Sequence, residues 1–260
     1  MDVRTELDYF ASALTFYTRI PYPCPAPYSE ENLNKSRKYF PLIGWVVGGI
    51  SVLVYLLAQL LVPPAVALLL SMAATIYATG AFHEDGFTDC CDAFGGGWDK
   101  DQILTIMKDS RIGTYGTVGI VMLLAIKFSA LLALQEFSRS LLLITMFSGH
   151  ALSRFMASTV VQSHDYVRDI DQSKIRPIAT RRLTTGEMLF SSVFIVVPLC
   201  LYSPLWLPVL AAVPAIMSRW YLAGYFSRRI GGYTGDCLGA TQQLCEVVFY
   251  LSVLSLCSFI

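Results

Sequence analysis

The run His83-Glu84-Asp85-Gly86-Phe87-Thr88-Asp89-Cys90-Cys91-Asp92 holds four carboxylates in ten residues. Seven of the 19 acids of the chain (Glu84, Asp85, Asp89, Asp92, Asp99, Asp101 and Asp109) lie in this one connection. If the run is helical, Asp85, Asp89 and Asp92 fall at i, i+4 and i+7 on one narrow face. Like charges so placed destabilise a helix and raise one another's pKa unless a cation lies between them. Carboxylate oxygens are also the ligands that Mg²⁺ prefers, so a divalent metal site is the chemistry the pattern suggests. The plainer readings are a solvated acidic loop, or carboxylates neutralised by Lys and Arg from elsewhere. The cluster abuts an apolar segment, where ionisable groups are costly, and that favours the metal.

The same connection ends in Lys108-Asp109-Ser110-Arg111-Ile112-Gly113-Thr114-Tyr115-Gly116. Glycine N–H groups can approach an anion, Arg111 can fork onto phosphate oxygens, and Thr114 is placed to cap a following helix. Read alone, Gly-Thr-Tyr-Gly is equally ordinary helix-entry chemistry, and Gly95-Gly96-Gly97 a turn. A third stretch, Gly231-Gly232-Tyr233-Thr234-Gly235-Asp236, enters the last apolar segment, with Thr234 or Asp236 available as its N-cap. Two further turns in, Glu246 sits among apolar residues and needs a polar partner or a cation. Lys127, His150, Arg154 and Arg219 are the other charged or titratable groups at such depth. Lys127 and Arg219 are expected to pair or snorkel, and Ser153-Arg154 to be functional. Carboxylates for Mg²⁺ together with cations and N–H groups for phosphate make the apparatus of phosphoryl transfer.

The elements that must carry these residues are membrane helices. Of 260 residues, 55% are hydrophobic and only 15% charged, against the quarter usual in soluble chains. Lys plus Arg equal Asp plus Glu at 19 each, so the excess of cations that grips nucleic acid is missing and no nucleic-acid partner is expected. Apolar segments at Phe40 to Val62, Pro64 to Phe82, Thr117 to Leu134, Ser140 to Val161, Met188 to Tyr202, Leu205 to Phe226 and Leu244 to Ile260 approach the roughly 17 to 25 residues of a spanning helix, the fifth being short. An all-α polytopic integral membrane protein of about six to seven transmembrane helices is predicted, as a single unit over residues 1–260.

Basic residues along the connections number five before the first span (Arg4, Arg19, Lys35, Arg37, Lys38), then none, three, one, five (Arg168, Lys174, Arg176, Arg181, Arg182), none and two. This alternation places the N-terminus and the 83–116, 162–186 and 227–243 segments in the cytoplasm of a cell inner membrane protein. Val3, Leu7, Phe10, Leu14 and Tyr17 form the stripe of an N-terminal interfacial amphipathic helix. Asp2, Glu6 and Asp8 speak against a targeting signal, and prolines 21, 23, 25 and 27 end the helix. The seven cysteines and three histidines show no paired ligand spacing, so neither disulfides nor a zinc site is expected.

These motifs, in this order, resemble the cobalamin synthases, also called adenosylcobinamide-GDP ribazoletransferases. The resemblance rests on Phe16-Tyr17-Thr18-Arg19-Ile20-Pro21, Tyr39-Phe40-Pro41-Leu42-Ile43-Gly44, the 82–92 run, Met107 to Gly116, Leu152-Ser153-Arg154 and Gly232 to Ala240. It covers nearly the whole chain. It implies integral membrane enzymes that use Mg²⁺ to join adenosylcobinamide-GDP to α-ribazole or its 5′-phosphate, releasing GMP, late in vitamin B12 assembly. The family pattern His-x-Asp-Gly-x-x-Asp-x-x-Asp falls on His83, Asp85, Gly86, Asp89 and Asp92, so Glu84 need not be essential. Phe87-Thr88 stands in place of the commoner Leu-Ala, and Gln243 where Glu is often found.

Resemblance and residue chemistry together assign Glu84, Asp85, Asp89, Asp92 and Glu246 to metal, and Asp85, Asp89, Asp92, Asp109 and Asp236 to catalysis, with Asp109 or Asp236 taking the proton of the attacking ribose hydroxyl. Substrate contacts are expected from His83, Lys108, Ser110, Arg111, Gly113, Thr114, Ser153, Arg154, Thr234 and Gly235. A lipid bilayer surrounds the chain, and a homo-oligomer is compatible with it. A CDP-alcohol-type phosphotransferase is the alternative enzyme, although its Asp-Gly-x-x-Ala-Arg signature is missing because Asp89-Cys90 follows Thr88. A transporter is the alternative outside enzymes, and would place broken helices at mid-membrane.

Overall fold

The computed structural model describes residues 2–23, 29–167 and 181–259. Among these it forms eleven α-helices and no strand; an isolated bridge joins Tyr166 to Tyr233. Helix α1 (Val3–Tyr17) starts on an Asp2 cap, and α2 (Glu30–Ser36) on a Ser29 cap. A 3₁₀ turn (Arg37–Tyr39) leads into α3 (Phe40–Ala58), whose Pro41 suits a first turn where no N–H partner exists. Then come α4 (Pro64–Thr79), α5 (Phe82–Gly96), α6 (Lys100–Ile106), α7 (Thr114–Phe137) and α8 (Arg139–Ser163). The chain closes with α9 (Thr185–Leu199), opened by a Thr184/Glu187 capping box, α10 (Trp206–Ile230) and α11 (Gly235–Leu256).

Among the described residues, four segments are long and apolar enough to cross a bilayer: Glu30–Ala58, Thr114–Phe137, Trp206–Ile230 and Gly235–Phe259. The bent pair α4 and α5 raises this to five. The shortfall from six to seven has two physical causes. Helix α8 has the length, 25 residues, but Ser148, His150, Ser153, Arg154 and Ser158 lower its hydropathy. These groups are tolerated because α8 is central, packed by α3, α7, α9, α10 and α11, with all five side chains buried. Helix α9 has only 15 residues, shorter than a hydrocarbon core requires.

Apolar side chains point outward along the perimeter, as a lipid-facing surface demands: Leu53 and Leu57 on α3, Val118 and Val121 on α7, Val193 and Val196 on α9, Val209, Leu210 and Met217 on α10. The stripe of α1 is only half interfacial. Val3 and Leu7 are exposed, whereas Leu14 and Tyr17 are buried, and the Tyr17 ring stacks on Phe40 at 4.0 Å. The carboxylate-rich run does not prolong the second span. Gly80 (φ 68°) and Ala81 (φ 58°) are both left-handed, and α5 leaves α4 at 89°. Left-handed backbone cannot continue a right-handed helix, so the motif occupies a helix of its own. Cys24, Arg168, Lys174 and Arg176 lie outside the described residues.

Candidate functional site

Helix α5 carries the motif, and the expectation of a helical face holds: Asp85 is exposed on its first turn, with Asp89 and Asp92 half-buried one and two turns on. Helix α11 crosses it at Gly86. A Cβ on Gly86 would stand 2.9 Å from Asp236 Cα and 3.1 Å from its carbonyl oxygen, closer than atoms can pack, so only glycine allows this crossing. The Asp236 backbone is thereby set against the first turn of α5. Thr234, not Asp236, caps α11: its hydroxyl accepts from the Cys237 N–H at 3.4 Å, leaving Asp236 and Gly235 in the first turn.

Asp92 is engaged by α7. Its Oδ2 accepts the Gly113 N–H at 2.7 Å and its Oδ1 the Gly116 N–H at 2.8 Å. Thr114 is therefore not the cap of this helix; Gly113 occupies that position and the missing acceptor comes from another helix. The arrangement follows from electrostatics, since an N-terminus offers unpaired N–H groups and a partial positive charge. The close approach needs glycine, because a Cβ on Gly116 would collide with the Asp92 carboxylate. Where an anion-binding loop is expected for phosphate, the carboxylate at hand is the protein's own.

Arg111 is exposed, Asp109 is partly buried, and the two hold each other. The Arg111 guanidinium donates from Nη2 to Asp109 Oδ2 at 2.6 Å and from Nε to Oδ1 at 3.0 Å. These hydrogen bonds, with one from the Arg111 backbone N–H, pull the Asp109 carboxyl down to about 2. Lys108, Ser110 and Thr114 are exposed beside them.

A second group of expected residues gathers inside the helical bundle. Glu246 is completely buried and finds its cation in Lys127 of α7, Nζ to Oε1 2.5 Å. Lys127 thus pairs with Glu246 and not with Arg219, whose Nε donates to Thr159 Oγ1 at 2.9 Å. On Glu246 Oε2 converge Gln242 Nε2 at 2.7 Å, His150 Nδ1 at 3.1 Å and the Ser153 hydroxyl at 3.3 Å; the Tyr250 hydroxyl donates to Oε1 at 3.2 Å. Arg154 donates from Nη1 to the His150 carbonyl at 3.0 Å and lies over the Phe40 ring. This explains the depth of Ser153 and Arg154: they belong to a polar network whose charges are compensated inside the bundle. With five partners, Glu246 is locked into that network rather than presented as a metal ligand. Gln242 and Tyr250 were not anticipated, although Gln242 precedes Glu246 by one turn, the spacing at which helical side chains meet.

Helix α5 joins this network through its first turn. Glu84 Oε1 accepts from Gln243 Nε2 at 2.9 Å, so the departure from Glu to Gln at 243 supplies a donor where a second carboxylate would repel. His83 is buried, its ring stacked at 5.8 Å on that of Phe40. Among the described residues, no three His, Cys, Asp or Glu side chains converge closely enough to form a ready-made metal cage. Of the five residues expected at metal, Asp92 and Glu246 accept from protein donors through both oxygens and Glu84 through one; Asp85 is exposed and Asp89 half-buried on the same face of α5.

Comparison with known proteins covers nearly the whole chain. Residues 9–254 match the family model described as cobalamin-5-phosphate synthase. The chain is 42% identical over 254 residues to adenosylcobinamide-GDP ribazoletransferase of Shewanella frigidimarina, covering 96% of this chain and 95% of that one. It is 43% identical over 245 residues to the protein of the same name from Ralstonia pickettii, covering 94% of each. With that of Vibrio parahaemolyticus it shares 39% identity over 262 residues, 97% of this chain and 94% of the relative. No solved structure matches it significantly. A match over nearly the full length, carried by a bundle of apolar helices, means that the chain belongs to the cobalamin-5-phosphate synthase family.

Proposed function

We propose that the protein is a membrane transferase that joins adenosylcobinamide-GDP to α-ribazole, or to its 5′-phosphate, with release of GMP. What carries this reading is the full-length likeness to ribazoletransferases. The geometry is compatible with that chemistry: the Gly86 crossing sets the Asp236 backbone against the first turn of α5, the turn that carries Asp85. Family membership leaves the CDP-alcohol phosphotransferase and transporter readings without support.

Mg²⁺ is part of the proposal. Hard carboxylate oxygens are the right donors, and Mg²⁺ is usually held by one or two carboxylates and substrate phosphates rather than by an all-protein cage. Asp85 and Asp89, on one face of α5, are the residues to hold it. When bound, the ion supplies neutralisation of charge on the pyrophosphate. Lys108, exposed in the same connection, adds positive potential. The acceptor hydroxyl must lose a proton as it attacks phosphorus next to the aminopropanol arm. Asp109, held at about 2, is a weak base at neutral pH, so this role falls to Asp236. Orientation follows the basic residues, with the N-terminus and site cytoplasmic in an inner membrane.

The test is GMP release by purified protein in liposomes supplied with both substrates and Mg²⁺. Asp85→Asn and Asp89→Asn variants should insert normally and lose turnover. Full activity in both, or no GMP from the unaltered protein, would overturn the assignment.

A further inference from the structure

Helix α5 begins at a corner that its own chain does not demand. Helix α4 stops in the usual way on Gly80, with the Ala81 N–H donating to the Ile76 carbonyl at 2.9 Å and the Gly80 N–H to that of Tyr77 at 3.1 Å. Such a cap needs one left-handed residue. Ala81 is a second, at φ 58° and ψ 20°, and among the described residues it is the one non-glycine with positive φ. Backbone of this kind is strained in a residue that carries a Cβ, and it persists only where surrounding contacts fix it. The first hydrogen bond of α5, from the Asp85 N–H to the Ala81 carbonyl at 2.8 Å, starts at this residue. On one side the first turn is tied to α11 through Glu84 and Gln243.

On the other side the support comes from the Phe16–Pro21 motif. Thr18 ends α1, its N–H and hydroxyl both donating to the Leu14 carbonyl, at 3.0 and 2.6 Å, while its Oγ1 accepts the Ile20 N–H at 3.2 Å. Turned by this cap, the chain lays Arg19 across the end of α4. The Arg19 N–H donates to the Ala78 carbonyl at 2.7 Å, and its side chain covers Gly80 so closely that a Cβ there would collide with Nε. Phe16 meets the Phe82 ring edge-on at 5.4 Å. Tyr17 meets the same ring at 6.2 Å and stacks on Phe40 of α3 at 4.0 Å, and Phe40 stacks on His83 at 5.8 Å. Ring pairs of this geometry add to what apolar burial contributes. The chain is thus gripped on both sides of Ala81, at Ala78 and Gly80 before it and at Phe82 and His83 after it.

We propose that the Phe16–Pro21 motif is a clamp that holds the first turn of α5, and with it Asp85, in place, with Phe16 and Arg19 as positioning residues for the transfer reaction. The proposal rests on the ribazole-transfer reading, in which Asp85 holds Mg²⁺. Misplacing a reacting group by about 1 Å can cost on the order of a hundredfold in rate, so even a partial loosening of this turn is measurable. Phe16→Ala removes the ring against Phe82; Arg19→Ala uncovers Gly80 and keeps the backbone bond to Ala78. In the substrate-free protein in nanodiscs, each variant is expected to speed hydrogen exchange at the Asp85 amide about tenfold and to leave residues 92–96, beyond the contact of Asp92 with α7, within about twofold. A fold that is merely less stable would exchange faster along the whole helix. Each variant should also lose about tenfold in kcat for GMP release, with the KM of either substrate within about threefold. Phe16→Tyr keeps the ring and should restore both readings. Unchanged exchange at Asp85, or equal acceleration along all of α5, would overturn the proposal. So would lost turnover in Arg19→Ala with exchange unaltered, which would make Arg19 a direct substrate contact. If the exchange pattern is as expected and the unaltered protein releases no GMP, the transfer reading fails and the clamp stands.

Discussion

Replacing Lys127 by Met keeps most of the side-chain length and removes the ammonium from a completely buried carboxylate 2.5 Å away. At an effective dielectric constant of about 20, two unit charges 4 Å apart attract by about 4 kcal/mol, and a closer pair by more. Desolvation cancels much of that gain, but removing one partner of a buried pair leaves the other uncompensated and costs about 3–5 kcal/mol. Lys127→Met should fall at the low end, about 3 kcal/mol, because Glu246 retains Gln242, His150, Ser153 and Tyr250. Glu246→Gln should reach about 5 kcal/mol, since it strands the ammonium within the bundle. The double variant removes both charges and should lose only about 1–2 kcal/mol, a similar-volume neutral replacement of an ion pair being nearly isoenergetic. The assay is unfolding of the purified protein in mixed micelles by titration with a denaturing detergent, followed by circular dichroism. Interhelical hydrogen bonds in membranes couple by about 0.6 kcal/mol on average, so a coupling above about 2 kcal/mol identifies a buried charge pair. Additive losses in the double variant would refute the reasoning.

Three other perturbations bear on the site. Asp92→Ala removes the acceptor of two N–H groups at the start of α7 and should cost about 1–3 kcal/mol, seen as hydrogen exchange at Gly113 and Gly116 faster by about tenfold or more; unchanged exchange would show that another group caps the helix. Gly86→Ala sets a methyl against the Asp236 backbone, which has no flexible end to yield; a loss of about 1–3 kcal/mol and at least tenfold in turnover is expected, whereas Gly49→Ala, with nothing within 4 Å, should be neutral. The Asp109 carboxyl, depressed to about 2 from 3.8, stays ionised in the folded protein until the pH falls to about 2, and its ion-pair contribution is lost only as pH falls through that value. Asp109→Asn should leave the acid limb of turnover in place between pH 5 and 8; a moved limb would make Asp109 the base after all.

Much of this protein could be read from residue order, and the reason is local. Helix periodicity places Asp85, Asp89 and Asp92 on one face, because side chains four apart in a helix meet whatever surrounds them. Apolar runs foretold a helical membrane bundle, since a bilayer leaves the backbone few other ways to satisfy its hydrogen bonds. The order of motifs pointed to the family. Spacing along the chain could not say which partner each buried polar group finds. Lys127 and Glu246 are 119 residues apart by number, and only the packing of α7 on α11 joins them. Asp92 had the look of a metal ligand until the fold set the start of α7 against it, and α8 reads as a membrane span although its polar side chains are hidden by its neighbours. The grip of α1 on the start of α5 is likewise a product of tertiary structure, because Phe16 and Arg19 meet Phe82 and Gly80 only when the chain has folded. Residue types decide which groups are costly to bury; three-dimensional packing decides which of them offset one another.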